Sequence, residues 1–115
     1  MIYHIAKLED FSLSMDRGSY FPGQFLQDGF IHCSTRNQVL AVANTWFLQS
    51  KNLILIEIDE QLLNVEVKYE NLEGGQELYP HIYGEISLSA IPRYSFLIPQ
   101  SSGFPFPTEW IEIKY

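Results

Sequence analysis

Apolar residues recur along this chain with two periods, and the periods divide it into elements. Residues 2–5 (IYHI) form a short β-favouring run, a predicted strand that carries His4. KLEDFSLSMDRG then places Leu8, Phe11 and Met15 at helical spacing and stops at Gly18, which predicts a helix. SYFPGQFLQDG is punctuated by proline and glycine and reads as loop, with one helical turn before Gly29. FIHCS (30–34) is a second predicted strand. TRNQVLAVANTWF (35–47) is the clearest helix, with Thr35 and Gln38 as a capping box and Val39, Ala43, Trp46 and Phe47 as its apolar face.

The second half reads mainly as strands. NLILIEID (52–59) is a buried strand, VEVKYE (65–70) alternates as a half-exposed one, and NLEGGQELYP (71–80) is a glycine-containing loop that delivers His81. AIPRYSFLI (90–98) is another strand. The tail after residue 98 begins as a Pro/Gly loop and ends in an edge strand, with Ile111, Ile113 and Tyr115 on one face and Trp110, Glu112 and Lys114 on the other. Short strands with one long and one shorter helix predict an α+β class.

Composition narrows the function. With 115 residues, 46% of them hydrophobic, the chain predicts one domain, 1–115, with a single core. Seven basic against 14 acidic residues give a net charge of −7, which argues against duplex nucleic acid or an anionic membrane as partner. No signal-peptide pattern opens the sequence, and its longest apolar run is too short for a membrane helix. With a single cysteine, Cys33, these features predict a cytoplasmic protein without an internal disulfide.

The histidines carry the candidate chemistry. YHI, IHC and PHI each set an imidazole among apolar or aromatic neighbours, in three different elements. Each histidine alone is explained by a core position with its ring nitrogens on backbone partners. Together they suggest a shared site. In a regular strand His32 and Ser34 share one face and Cys33 takes the other, so His32 and Cys33 do not form a nucleophile–base pair, and Cys33 is read as a small core residue. A helix starting at Thr35, with Arg36 nearby, would turn its positive end toward the His32 face as an anion site; simple capping explains the same residues. Three imidazoles also suit catalytic zinc, although no H-x-H or H-x-x-x-H spacing occurs. A serine hydrolase lacks its G-x-S-x-G elbow.

MIYHIAK, GFIHCST with the following QVLAVA helix, and ELYPHIYGEISLSAI together resemble the bacterial domain-of-unknown-function family 952, from residue 1 to about 97, with residues 98–115 outside the resemblance. That family is similar to the ADP-ribosyltransferase-like fold, a split, mainly antiparallel sheet whose cleft binds NAD. The resemblance implies a nucleotide-sized ligand, with NAD as a substrate and no tightly bound cofactor. It implies His4 on the adenosine ribose, His32 where a tyrosine packs on nicotinamide, Ser34 near the ligand amide, and His81 in the place of the catalytic glutamate. His32 and His81 are then the catalytic candidates. Tyr3, Tyr83 and Arg36 flank the cleft. A histidine cannot stabilise an oxocarbenium ion by charge as a carboxylate does, so Glu77 or Glu85 would have to supply the anion. A phosphate-handling branch of the superfamily uses histidine and arginine, and Arg36 and Arg93 would be its cations here. A non-catalytic nucleotide-binding or protein-interaction domain would retain the same pocket.

Overall fold

The computed structural model describes residues 1–72 and 74–114. In chain order the elements are β1 Ile2–Lys7, α1 Leu8–Arg17, β2 Ser19–Tyr20, α2 Phe25–Asp28, β3 Ile31–His32, α3 Val39–Trp46, β4 Leu53–Ile58, β5 Glu66–Glu70, β6 Tyr79–Tyr83, β7 Ile86–Ser87, β8 Arg93–Leu97 and β9 Ile111–Glu112, with short 3-10 turns at Glu60–Leu62 and Leu88–Ala90. The class is α+β, as the sequence predicts, and the named strand pairings are antiparallel.

The sheet is split into a four-stranded half, β1-β4-β8-β9, and a three-stranded half, β3-β6-β5. They meet at one bridge, where Tyr3 N–H donates to Ser34 O and Ser34 N–H to Tyr3 O, both at 2.8 Å. A two-stranded ribbon of β2 and β7 stands apart.

Side-chain alternation gives the joined sheet two unlike faces. The inner face of both halves shares one core: Ile2, Ala6, Ile31, Cys33, Ile54, Ile56, Ile58 and Ile82 pack with Phe11 of α1, Tyr20 of β2 and Ile86 of β7. The outer face of the four-stranded half is covered by α3 and the C-terminal tail, where Tyr3, Leu53, Leu55 and Leu97 pack with Val39, Ala43 and Phe104. None of that second cluster lies on β3, β5 or β6, so the outer face of the three-stranded half is left without a helical cover.

Both longer helices depart from the predicted phase. α3 starts at Val39 rather than Thr35, after a turn at residues 35–38 that realises the Gln38 half of the predicted capping box: Gln38 Oε1 accepts the Thr35 N–H at 3.0 Å, while Gln38 Nε2 donates to Leu78 O at 2.8 Å. Val39 and Ala43 are buried as predicted, but Trp46 is 77% exposed. α1 is the longer helix. It buries Phe11 and Ser14 and exposes Met15, the Ser14 hydroxyl bonding back to Asp10 O at 2.8 Å. The stretch 71–80 is not loop throughout: β6 begins at Tyr79, and His81 sits at its centre. Glu73 in that stretch, and Tyr115 of the predicted edge alternation, lie outside the described residues.

A charged row crosses the covered half. Tyr3, Glu57, Arg93 and Glu112 are successive register partners over β1, β4, β8 and β9. The buried Glu57 carboxylate accepts the Arg93 guanidinium through two bonds, 2.9 and 3.0 Å, and the Tyr3 hydroxyl at 2.9 Å. Arg93 in turn lies 4.2 Å from the Trp110 ring and Arg36 3.5 Å from the Phe106 ring, so two guanidinium planes fasten the tail. Asn44 fixes the tail's start: its Oδ1 accepts the Phe104 N–H at 2.7 Å. Gly103 permits this approach, having φ +110° and a backbone so close that a Cβ would meet Asn44 Oδ1 at 2.4 Å. Removing Arg93 strands a buried carboxylate, so Arg93→Met is expected to lower unfolding free energy by about 3–5 kcal/mol at pH 7, read by urea denaturation, and to red-shift tryptophan emission as Trp110 loosens.

Candidate functional site

The alternation that builds the sheet also sorts the predicted site residues. On β1, Tyr3 points to the outer face and His4 to the core; on β3 and its extension, His32 and Ser34 share the outer face and Cys33 takes the core. β6 aligns with both neighbours so that His81 stands opposite His32 on one side and Lys68 on the other. The outer face of the open half therefore carries Phe30, His32, His81 and Tyr83. The three histidines do not converge.

His4 takes the core alternative. It is buried with both ring nitrogens engaged: Nδ1–H donates to His32 O at 2.6 Å and Nε2 accepts the Tyr20 hydroxyl at 2.8 Å. A carbonyl can only accept, so this neutral tautomer follows from the partners. Desolvation lowers the His4 pKa to about 4. Cys33 belongs to the same core, and burial raises its thiol pKa well above the ordinary range. A shared zinc site would need the three rings together, which this geometry denies; among the described residues no group of three or more His, Cys, Asp or Glu is arranged to hold a metal ion.

His32 and His81 form the pair that the fold does assemble. Their ring centroids lie 5.4 Å apart. Each has a carboxylate: His32 Nε2 pairs with Asp28 Oδ2 at 2.9 Å, and His81 Nδ1–H donates to Glu70 Oε1 at 3.0 Å. Their exposures differ sharply, at 49% for the His32 side chain and 1% for that of His81. The Tyr83 hydroxyl also donates to Glu70 Oε1, at 2.5 Å. That bond pushes the Tyr83 pKa up to about 12 and, with the bond from His81, holds Glu70 below the usual carboxylate range. Phe30 lies among these groups, nearly parallel to the His81 ring at 4.2 Å, 4.6 Å from His32 and 5.3 Å from Tyr83. His81 Nε2 is buried and has no hydrogen-bond partner among the described residues.

The remaining predicted residues lie toward the seam and the tail. Ser34 is buried at the bridge to Tyr3. Tyr3 bonds Glu57, and burial followed by that bond raises its pKa. Arg36 lies over Phe106. The late start of α3 removes the helix end that was predicted beside His32, and the Thr35 N–H is occupied by Gln38. The carboxylate beside His81 is Glu70, from the neighbouring strand. Glu77 instead approaches Gln38 at 3.4 Å and Glu85 is exposed. Glu70 had a detectable signal, since VEVKYE places Glu66, Lys68 and Glu70 on one strand face; Asp28 lies four residues before His32. Glu57 also had one, as the charged residue in an otherwise apolar buried strand.

This split-sheet α+β domain defines the class of the protein. The family model described as "Protein of unknown function (DUF952)" matches residues 5–94, and the chain belongs to that family. It is similar to the X-ray crystal structure of protein CC0527 from Caulobacter crescentus, with 29% identity, 91% of this chain and 92% of that chain covered, and a TM-score of 0.80. The solution NMR structure of CC0527 is similar at 30% identity, with 90% of each chain covered and a TM-score of 0.77. No curated protein matches. Among the described residues no helix is long and apolar enough to cross a membrane.

The His4 geometry makes a pH prediction. The unfolded chain protonates His4 near the ordinary value of about 6.5, the folded chain only near 4, so between these values the unfolded state holds more protons. Stability is therefore expected to fall as pH drops from about 6.5 to about 4, by about 3 kcal/mol from this group, with no further slope below. Denaturant unfolding across that range checks it, and His4→Leu is expected to flatten this part of the profile. Tyr20→Phe, which leaves Nε2 unpaired, should cost about 1–3 kcal/mol at pH 7.

Proposed function

We propose that the outer face of the three-stranded half binds a small nucleotide-class ligand, NAD or a related molecule, and that His81 and His32 are the groups that act on it. The observation that carries this reading is the two carboxylate-paired imidazoles, with rings 5.4 Å apart, on a face left open by α3 and the tail. Phe30 and Tyr83 offer π-faces for a base. His81 Nε2, which has no hydrogen-bond partner among the described residues, offers a contact for a ribose hydroxyl, and Glu70 brings a negative charge to the same place. If a glycosidic bond to nicotinamide breaks there, its electron pair leaves with nicotinamide, and the cationic sugar needs a nearby carboxylate. Glu70 answers that need. Tyr3 and Ser34 lie across the seam, buried beneath α3 and the tail, and Arg36 is stacked on Phe106, so these three border the site without lining its face. His4 supports the site from behind through its bond to His32 O. A cytoplasmic setting accompanies this reading, supported by the single free thiol, which is buried.

The test is an NMR titration of the histidine ring signals with NAD, ADP-ribose and nicotinamide. Saturable shifts are expected at His32 and His81 and not at His4, and His32→Ala should weaken Kd by about tenfold, the equivalent of one lost hydrogen bond. Unchanged His32 and His81 signals at millimolar ligand would overturn the proposal. Binding without release of nicotinamide would identify a nucleotide binder without turnover.

A further inference from the structure

The three-stranded half ends in a strand edge. β5 pairs with β6 along its whole length and has no second strand partner among the described residues, whereas β9, at the opposite edge of the joined sheet, is only two residues long. We propose that β5 is a self-association edge: two copies of this chain pair antiparallel through it, about a two-fold axis at Val67. The inference holds whatever the outer face binds.

Backbone phase permits this pairing. Cys33 N–H donates to Pro80 O at 3.0 Å, so Pro80, and with it Ile82, turns its backbone groups toward β3. The alternate residues Tyr79, His81 and Tyr83 turn theirs toward β5, where Glu70, Lys68 and Glu66 face them in register. The N–H and C=O groups of Val67 and Tyr69 therefore point away from the sheet. Two-fold pairing through those groups can be centred on Val67, Lys68 or Tyr69, and the side chains choose among the three. Centring on Val67 sets Glu66 of each copy opposite Lys68 of the other on the outer face, and sets Val67, which packs against the core of its own chain, opposite Val67. Centring on Lys68 would oppose Lys68 to itself and Glu66 to Glu70. Centring on Tyr69 would oppose Lys68 to Glu70, whose carboxylate already accepts His81 and Tyr83. Glu66 and Lys68 are available to exchange partners: they are 65% and 48% exposed, and only 3.8 Å separates their charged atoms within one chain. Exposed charge pairs contribute little affinity, so they fix the register while the backbone bonds hold the copies together. A contact of one strand edge is small, which makes the dimer weak and reversible.

Sedimentation velocity from micromolar to millimolar protein tests the proposal. The unaltered chain should pass reversibly from monomer to dimer. Glu66→Lys and Lys68→Glu each set like charges opposite one another, and each should weaken self-association by about tenfold or more. An equimolar mixture of the two variants should associate as the unaltered chain does, because every opposed pair then carries opposite signs, and so should the double exchange of Glu66→Lys with Lys68→Glu. Such recovery excludes misfolding as the cause of the loss. A chain that stays monomeric at millimolar concentration would overturn the proposal, as would a dimer retained by both single variants or a loss that neither the mixture nor the double exchange restores. Loss in Lys68→Glu with retention in Glu66→Lys would overturn the Val67 axis and move it to Tyr69.

Discussion

Two hydrogen bonds between Tyr3 and Ser34 hold the organisation of this protein together, because they join two half-sheets in a single register. Strand side chains alternate strictly, so once that register is set every residue on the seven strands of the joined sheet is assigned to a face. The inner face becomes one apolar core that accepts α1 and the β2–β7 ribbon. The outer face divides into a half closed by α3 and the tail and a half that neither of them covers. A shift of one residue at this seam would bring His4 to the outer face and send Tyr3 into the core, exchanging a satisfied core histidine for an unpaired hydroxyl.

Carboxylates perform two kinds of work on this acidic chain. Glu57 is buried and saturated: two bonds from Arg93 and one from Tyr3 occupy it, and the Arg93 guanidinium is stacked against the tail. Its role is to hold elements together. Glu70 is only partly buried and orients an imidazole whose second nitrogen has no hydrogen-bond partner among the described residues. The contrast is physical: Glu57 is saturated by partners that cross the sheet, whereas Glu70 sets the orientation of one imidazole.

The similarity to CC0527 extends over about nine-tenths of both chains, whereas the family model ends at residue 94. The cover on the outer face matters to the candidate site by contrast. Phe104, Phe106 and Trp110 close one half of the face, Phe106 and Trp110 held by arginines and Phe104 by Asn44, whereas on the other half Phe30 stacks on the His81 ring. The two halves of one sheet surface thus differ in what covers them.

The α+β class, the six-residue buried strand at its centre, the edge strand in the tail and the family were all readable from local pattern and motif. Such features follow from periodicity and composition within a few residues. The helix limits and faces were less readable: the Thr35–Gln38 capping bond was legible, but α3 begins only at Val39 and exposes Trp46, and α1 turns Ser14 rather than Met15 to the core, because packing against the rest of the fold chooses the buried face. Pro80 made a central strand look like a loop, since a strand interior normally needs the N–H that proline lacks. The sequence could name three histidines but not group them. That grouping depended on cross-strand register: it paired His32 with His81, turned His4 inward to Tyr20, and set Glu70 of a different strand beside His81. Local propensity acts on residues near one another along the chain, whereas a site on a sheet is assembled from residues side by side across it, and only tertiary pairing decides which those are.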